Sequence, residues 1–238
     1  MTELQRNTLV WLTPQAWTAV HARQWEAPVQ DLLRYWQSCQ FPWVVALQRP
    51  EVAAAGVCLG LPAPQHWGRR RLATHVALDG IARHGQFPLL GEVARANLWG
   101  ISAASWLAQG ADVASQVRVY GSYGWQYMTG MPYVRTGSDL DLSVPVPDLP
   151  GALRALDWLA QVGDVPGPGR ELSQPLALRV DGEIVFADGR ALAWRELQAL
   201  RQGRVHEALV KDRHQLLLLD WAGLEAMVQA PTASVVPA

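Results

Sequence analysis

A β-rich run that ends in Gly-Ser is followed, in the middle of this sequence, by a short helix and a strand with alternating charged and apolar residues. The run is QVRVYGS (116–122), the helical segment is YGWQYMTG, and the alternating segment is DLDLSVPV (139–146). Alternation with a period of two is typical of a strand with one face in water. The sequence therefore predicts a strand ending at Gly-Ser, a helix and a second, half-exposed strand.

Two carboxylates lie on one side of the second strand. Asp139 and Asp141 are two residues apart and point the same way, while the leucines that follow each of them face the core. Carboxylates this close raise each other's pKa unless a cation lies between them. Mg²⁺, a hard cation that takes oxygen ligands, satisfies this geometry.

The Gly-Ser pair is a candidate phosphate site. Gly121 lets a phosphate approach the backbone, and the N–H groups of Ser122 and of the helix start can hold an anion. A phosphate site beside a dicarboxylate site for Mg²⁺ is what nucleotidyl transfer requires. An Asp-x-Asp strand can also be a solvated edge without function, and Ser122 can simply cap the helix.

The composition excludes several other classes of protein. Half of the 238 residues are hydrophobic and 17% are charged, which excludes intrinsic disorder. The net charge of -1 excludes a broadly basic nucleic-acid binder. Two cysteines are too few for a disulfide scaffold. The start has no signal-peptide pattern and no apolar run is long enough for a membrane span, so we expect a cytoplasmic protein.

Apolar periodicity, Gly and Pro divide the chain into segments. Gly85 and Pro88 suggest a boundary between an N-terminal domain (1–85) and a larger domain (86–210), with a C-terminal helix and tail over 211–238. Helices are predicted over 14–24, 28–38, 90–109, 151–163 and most of 194–228. Strands are predicted over 9–12, 43–49 and 57–64. The segment LALRVDGEIVFADGR is predicted to form two short strands, with turns at Asp181-Gly182 and Asp188-Gly189.

The order of these motifs resembles known enzymes. Gly-Ser after a strand and Asp-x-Asp on the next strand resemble the nucleotidyltransferase superfamily that includes DNA polymerase β. A longer series of segments resembles the phosphoribosyl-dephospho-CoA transferases of malonate decarboxylase, also called holo-acyl-carrier-protein synthases. In the second half these segments are, in order, RVYGS, WQYMTG, SDLDL and DGEIVFADGRALAWREL, and in the first half they are LVWL, WVVALQR, GLPAP and GRRRLA. The resemblance covers nearly the whole chain.

The resemblance implies a specific reaction. Such enzymes transfer 2'-(5''-phosphoribosyl)-3'-dephospho-CoA from its triphosphate precursor to a serine of the apo acyl-carrier subunit of malonate decarboxylase, releasing diphosphate. The implied fold is α/β (α+β), with a mixed sheet and flanking helices in the catalytic domain. A smaller N-terminal α+β domain would help to bind the donor or the carrier. Neither a nucleic acid nor a membrane is an expected partner.

The sequence leaves other functions open. The transferase of citrate lyase attaches the same group to a different carrier subunit. Another nucleotidyltransferase of this fold would act on a small molecule or a protein. A non-catalytic nucleotide-binding regulator is the alternative outside enzymes, and the intact pair Asp139 and Asp141 argues against it.

The resemblance also implies roles for individual residues. Asp139 and Asp141 would bind the catalytic Mg²⁺, and Gly121 and Ser122 would hold the triphosphate. The superfamily usually has a third carboxylate on a later strand, which orients or deprotonates the attacking hydroxyl. For this third carboxylate we favour Asp181 over two other acids of that segment, Glu183 and Asp188, although Asp181-Gly182 could equally be only a hairpin turn.

Several cationic and aromatic residues are weaker candidates. Arg69, Arg70 and Arg71 could bind the triphosphate, the phosphates of the CoA moiety or an acidic carrier, or form a solvated surface, and of the three we select Arg70 as a substrate-binding residue. Arg135, just before the acids, could neutralise the departing diphosphate. Trp125 and Tyr127 could stack on adenine or belong to the core. Lys211, the single lysine beside nineteen arginines, is expected at the surface of a helix.

Overall fold

The computed structural model describes residues 4–48, 56–68, 70–96, 98, 110–162, 164–166 and 177–229. The chain forms two compact units, and each of them is built from several segments. The first unit consists of Met1–Pro88, Gly124–Arg135 and Arg213–Gln215, and the second of Leu89–Tyr123, Thr136–Asp212 and Leu216–Ala238. No helix in the described part of the chain is long and apolar enough to cross a membrane.

The first unit contains an antiparallel sheet of five strands: β1 (Leu9–Leu12), β2 (Trp43–Val45), β3 (Val57–Pro62), β4 (Arg71–Val76) and β5 (Ile81–Gly85). Their order in the sheet is β4-β3-β2-β1-β5. Two helices connect its first two strands, and the first helix has the expected start: Thr13 Oγ1 accepts a hydrogen bond from the Ala16 N–H at 3.2 Å, with Pro14 at the first position. The two helices are α1 (Pro14–His21) and α2 (Ala27–Ser38), and single 3₁₀ turns lie at Gln65–Trp67 and Leu78–Gly80.

Tryptophans form much of the core of the first unit. Trp36 and Trp43 are fully buried, and the indole N–H of Trp36 donates to the Pro42 carbonyl at 2.9 Å. Trp125 packs on Trp36 with ring centroids 5.8 Å apart and on Phe87 at 5.5 Å. Trp125 is therefore a core residue, and it is not placed to stack on a nucleobase.

The second unit contains a mixed sheet of β6 (Arg118–Val119), β7 (Leu140–Val146), β9 (Ala177–Phe186), β10 (Ala191–Ala193), β11 (Ala208–Lys211) and β12 (Leu216–Leu219). Their order in the sheet is β12-β11-β10-β9-β7-β6, and β8 (Asp164–Pro166) pairs with β9. Strands β7 and β9 are parallel and the other pairs are antiparallel. This confirms the predicted mixed sheet with flanking helices. The helices are α3 (Leu90–Arg95), α4 (Ala111–Ala114), α5 (Gly121–Thr129, which begins in this unit), α6 (Leu149–Val162), α7 (Trp194–Arg201) and α8 (Trp221–Gln229).

One face of this sheet is apolar and the other carries charged groups. Helix α6 packs against β7 and β9, and α7 packs against β9, β10 and β11. The buried residues Leu140, Leu142, Val180 and Ile184 alternate along β7 and β9 with residues that point to the opposite face. The alternation in DLDLSVPV therefore predicted correctly which side chains of β7 enter the core.

Strand β9 corrects the expectation of two short strands. Ala177–Phe186 is one continuous strand, and the reversal of the chain follows it at residues 187–190. Gly182 lies within the strand, paired with Leu142, at φ +142°. A Cβ atom at this position would lie 1.9 Å from the Leu142 carbonyl oxygen. The hairpin-turn interpretation of Asp181-Gly182 was wrong, because this glycine permits two backbones to approach closely and makes no turn.

The C-terminal segment is also less helical than expected. Helix α7 ends at Arg201, and an antiparallel hairpin of β11 and β12 separates it from α8. Four consecutive leucines fit a helix or a strand equally well, and pairing with Ala208–Lys211 determines the outcome. Most of the predicted helix 90–109 beyond Arg95, the loop at 167–176, the tail at 230–238 and Arg69 lie outside the described residues.

We expect Gly182→Ala to destabilise the second unit by about 3 kcal/mol or more, because both the backbone conformation and the contact with β7 would have to change. Gly203→Ala is the matched control, since Gly203 also has a positive φ (+66°) but has no atom within 4 Å of the added Cβ. It should cost only about 1 kcal/mol. Chemical denaturation compares the two variants. Equal losses of stability would contradict this explanation of Gly182.

Candidate functional site

Three predicted carboxylates come together on the polar face of β7 and β9. Asp139 immediately precedes β7, Asp141 is its second residue, and the parallel register places Asp181 of β9 directly beside Asp141. The side chains of Asp139 and Asp181 are 35% and 32% exposed. The structure thus places the third acid selected from the sequence next to the Asp-x-Asp pair.

The environment of Asp141 disfavours its negative charge. Burial is the largest cause, and the charges of Asp181, Asp139 and Glu183 add to it, while Arg179 opposes them. Together they raise the pKa of Asp141 to about 7. A bound cation would stabilise the ionised form of this carboxylate and relieve the repulsion. The electrostatics therefore favour a cation at this position.

Gly121 lies against the Asp141 carboxylate. The N–H of Tyr120 donates to the Asp141 carbonyl at 3.0 Å, which ties the start of α5 to β7. Gly121 has a φ of +59°, and a Cβ there would lie 1.8 Å from Asp141 Oδ2. The sequence predicted a phosphate next to this glycine, whereas the structure shows that a protein carboxylate already requires its small size.

The first turn of α5 adds two more groups to this site. Ser122 is the second residue of the helix, where backbone N–H groups have no partner within the helix and can bind an anion. Tyr123 is buried, and burial followed by the charge of Asp139 raises the pKa of its phenol. Tyr123 was not a candidate from the sequence, because its neighbour Asp139 is brought close only by the fold.

Two cations contact the acids of β9, and neither contact was predicted from the sequence. Arg179 Nε lies 3.8 Å from Asp139 Oδ1, and its Nη2 lies 3.5 Å from Asp181 Oδ2. Lys211 Nζ lies 2.5 Å from Oε1 of Glu183, a buried side chain. The spacing of Arg179, Asp181 and Glu183 along one face of a strand could have indicated the cluster, but the expected turn at 181–182 interrupted it.

The alternatives to Asp181 as third acid lie in other surroundings. Glu183 is paired with Lys211, which belongs to β11 and not to the surface of a helix as expected. Asp188 forms an ion pair with Arg190 in the turn after β9. Of the three acids considered, Asp181 is the one directly opposite Asp141 in the sheet.

The remaining candidates, Arg70, Arg135 and Tyr127, belong to the first unit. Arg70 is exposed and pairs with Glu26 at 2.5 Å in the first unit. Arg135 is exposed and belongs to the first unit as well. Tyr127 is also exposed. Their proposed roles in substrate binding stay predictions.

The donor set fits a magnesium site that is completed by substrate. Among the residues that the structure describes, no group of three or more His, Cys, Asp or Glu side chains is arranged to hold a metal ion by itself. Mg²⁺ in phosphoryl-transfer sites usually takes one or two carboxylates together with water and substrate phosphates. Asp139 and Asp141 can supply such a pair, and the guanidinium of Arg179 already occupies a cation position beside Asp139.

Comparisons with known proteins cover both halves of the chain. The family model described as phosphoribosyl-dephospho-CoA transferase MdcG N-terminal domain matches residues 5–87, and the corresponding C-terminal domain matches residues 91–222. A protein of Bradyrhizobium diazoefficiens named phosphoribosyl-dephospho-CoA transferase is 33% identical over 219 residues, which are 90% of this chain and 89% of that protein. A protein of the same name from Xanthomonas euvesicatoria is 34% identical over 224 residues, or 92% and 95% of the two chains. No solved structure matches the chain.

Proposed function

This chain belongs to the phosphoribosyl-dephospho-CoA transferase family, and from that membership we propose that it attaches 2'-(5''-phosphoribosyl)-3'-dephospho-CoA to a serine of the apo acyl-carrier subunit of malonate decarboxylase. The donor is the triphosphate precursor, and diphosphate is released. The observation that carries the proposal is the position of Asp139, Asp141 and Asp181 beside the first turn of α5. The resemblance of nearly the whole chain to the malonate decarboxylase enzymes supports this choice of carrier.

Asp139 and Asp141 hold Mg²⁺ in this proposal. When bound, Mg²⁺ supplies positive charge to the phosphate oxygens that become more negative as diphosphate leaves. The backbone N–H groups at Ser122 bind phosphate oxygens at the positive end of α5. Gly121 leaves room for the Asp141 carboxylate, so that the phosphate site and the two acids adjoin.

Asp181 receives the proton of the attacking serine. Its Oδ1 accepts a hydrogen bond from the N–H of Gly182 at 2.8 Å, which holds the carboxylate in one orientation and leaves Oδ2 directed to other partners. The serine oxygen of the carrier forms a bond to the α-phosphorus, the bond from that phosphorus to the bridging oxygen breaks, and diphosphate departs with the bonding electrons. The serine proton passes to Asp181, which is a general base in this step.

A transfer assay with two carriers tests this function. The full chain is incubated with Mg²⁺, the triphosphate donor and the apo carrier subunit of either malonate decarboxylase or citrate lyase, and the carriers are weighed by mass spectrometry. We expect the malonate decarboxylase carrier to gain the mass of the prosthetic group, and we expect EDTA to abolish the gain. Asp139→Ala should also abolish it, because a metal ligand is lost.

Asp157→Ala is the matched control for this assay. Asp157 is an exposed aspartate of the same unit, paired with Arg201 at 2.7 Å, and its loss should leave the transfer rate within about twofold, as for surface ion pairs in general. Modification of the citrate lyase carrier alone would replace the proposed carrier by that one. No modification of either carrier by the wild-type chain would refute the proposal.

A further inference from the structure

Two cations contact the acids at the start of β7 and on β9, and they differ in how firmly their ion pairs hold them. Lys211 Nζ lies 2.5 Å from Glu183 Oε1, and the Glu183 side chain is only 6% exposed, so this pair is fixed in the sheet. Arg179 is 59% exposed, and its two contacts with carboxylates are long, at 3.8 and 3.5 Å. Exposed ion pairs of this kind contribute little stability. Arg179 is therefore the cation that can leave the acids at small cost.

The guanidinium of Arg179 lies beside one of the two carboxylates that are proposed to hold the metal. Its guanidinium Nε faces Oδ1 of Asp139, which is one of the two carboxylates assigned to Mg²⁺. A guanidinium and a divalent cation compete for the negative charge of this carboxylate. The charge of Arg179 also lowers the pKa of Asp141, in the direction in which a metal would act. The charge of Arg179 and that of a metal cation would therefore act on the same carboxylates.

We propose that Arg179 binds the triphosphate of the donor, and that it is the counter-ion of Asp139 and Asp181 only while no divalent cation is bound. The identity of the donor rests on the proposed function. With a metal held by Asp139, Arg179 would lose one of its two carboxylate partners, and the phosphates of the donor would supply anionic oxygens in its place. The planar fork of arginine matches two phosphate oxygens at once, which the ammonium of lysine does not.

Arg179→Met should strengthen metal binding and weaken binding of the triphosphate. Without donor, the variant should bind Mn²⁺ about three- to tenfold more tightly, because a competing cation is removed. With saturating Mg²⁺, the inhibition constant of inorganic triphosphate and the KM of the donor should rise about 10- to 100-fold, as expected for the loss of charged hydrogen bonds. Electron paramagnetic resonance of free Mn²⁺ measures the first constant, and competition and transfer assays measure the others.

Arg201→Met and Arg179→Lys are the comparison variants. Arg201 forms an exposed ion pair with Asp157 in the same unit, so its loss should change none of these constants. Arg179→Lys keeps the charge and should return Mn²⁺ affinity close to that of the wild type, with only partial recovery of triphosphate binding. A merely structural role for Arg179 would move both ligands in the same direction.

Two results would overturn the proposal. The first is unchanged or weaker Mn²⁺ binding by Arg179→Met, and the second is triphosphate binding that equals that of Arg201→Met. Failure of the proposed function is a separate outcome, because it appears as a wild-type chain that modifies no carrier. The Mn²⁺ and inorganic triphosphate measurements do not depend on the carrier and decide the role of Arg179 in that case as well.

Discussion

Asp141→Asn should abolish transfer to the carrier, by about 10³-fold or more, and should at the same time stabilise the metal-free protein. The loss of transfer follows from the loss of a charged metal ligand, which is worth several kcal/mol in the transition state. The gain in stability follows from the raised pKa of Asp141, about 7 instead of the ordinary 3.8. A fold that disfavours an ionised side chain is stabilised when that side chain becomes neutral.

The sign of the pH dependence follows from the same pKa. Because the folded-state pKa lies above the unfolded value, the contribution of Asp141 is fully favourable below pH 3.8 and is lost as the pH rises through about 7. The cost at alkaline pH is at most about 4 kcal/mol. The melting temperature of Asp141→Asn in EDTA should therefore exceed that of the wild type by several degrees at pH 8, and the difference should shrink towards pH 5.

Differential scanning fluorimetry from pH 5 to pH 8 measures this difference, with Asp157→Asn as the control at an exposed carboxylate. Added Mg²⁺ should raise the melting temperature of the wild type and leave that of Asp141→Asn unchanged. An Asp141→Asn variant that is less stable than the wild type in EDTA at pH 8 would show that burial and repulsion do not govern this site.

Gly121→Ala should reduce transfer by about 10²- to 10³-fold, as expected when an electrostatic group is displaced from its working position. The added methyl would lie 1.8 Å from Asp141 Oδ2, so either the carboxylate or the start of α5 must move. Both movements separate the acid from the N–H groups that are proposed to bind phosphate. We expect the affinity for Mn²⁺ to fall together with kcat.

Gly130→Ala controls for the backbone conformation. Gly130 follows the C-terminal end of α5 and has a φ of +69°, close to that of Gly121, but no atom lies within 4 Å of an added Cβ. Both variants carry the same strain of a left-handed conformation, about 1–2 kcal/mol. Only Gly121→Ala should lose transfer and metal binding. Similar activities of the two variants would mean that the contact with Asp141 has no role.

Local periodicity predicted the elements whose side chains alternate clearly. The period of two in DLDLSVPV placed Leu140 and Leu142 in the core and the two acids on the opposite face, as observed. Helix α6 was predicted within two residues of its observed bounds, Leu149–Val162. These predictions succeeded because the spacing of apolar and polar residues close together in the sequence determines which face of an amphipathic strand or helix is buried.

Elements that depend on distant partners were predicted less well. A glycine inside β9 was interpreted as a turn, although the approach of the Leu142 carbonyl is what requires it. The leucines of β12 were assigned to a helix, although they pair with β11. Lys211 was expected at a helix surface for the same reason. In each case the conformation of the segment depends on pairing with another strand, and the local sequence pattern does not specify where that strand lies.

The sequence by itself determined the family, the Gly-Ser start of α5 and the side of β7 on which Asp139 and Asp141 lie. Only the tertiary structure decided that β9 runs parallel to β7 in the register that sets Asp181 beside Asp141. It also decided that Asp141 fills the space next to Gly121 and that Arg179 lies between two acids. The physical reason is that periodicity specifies which face a side chain takes, whereas strand pairing and register come from packing between segments far apart in the chain.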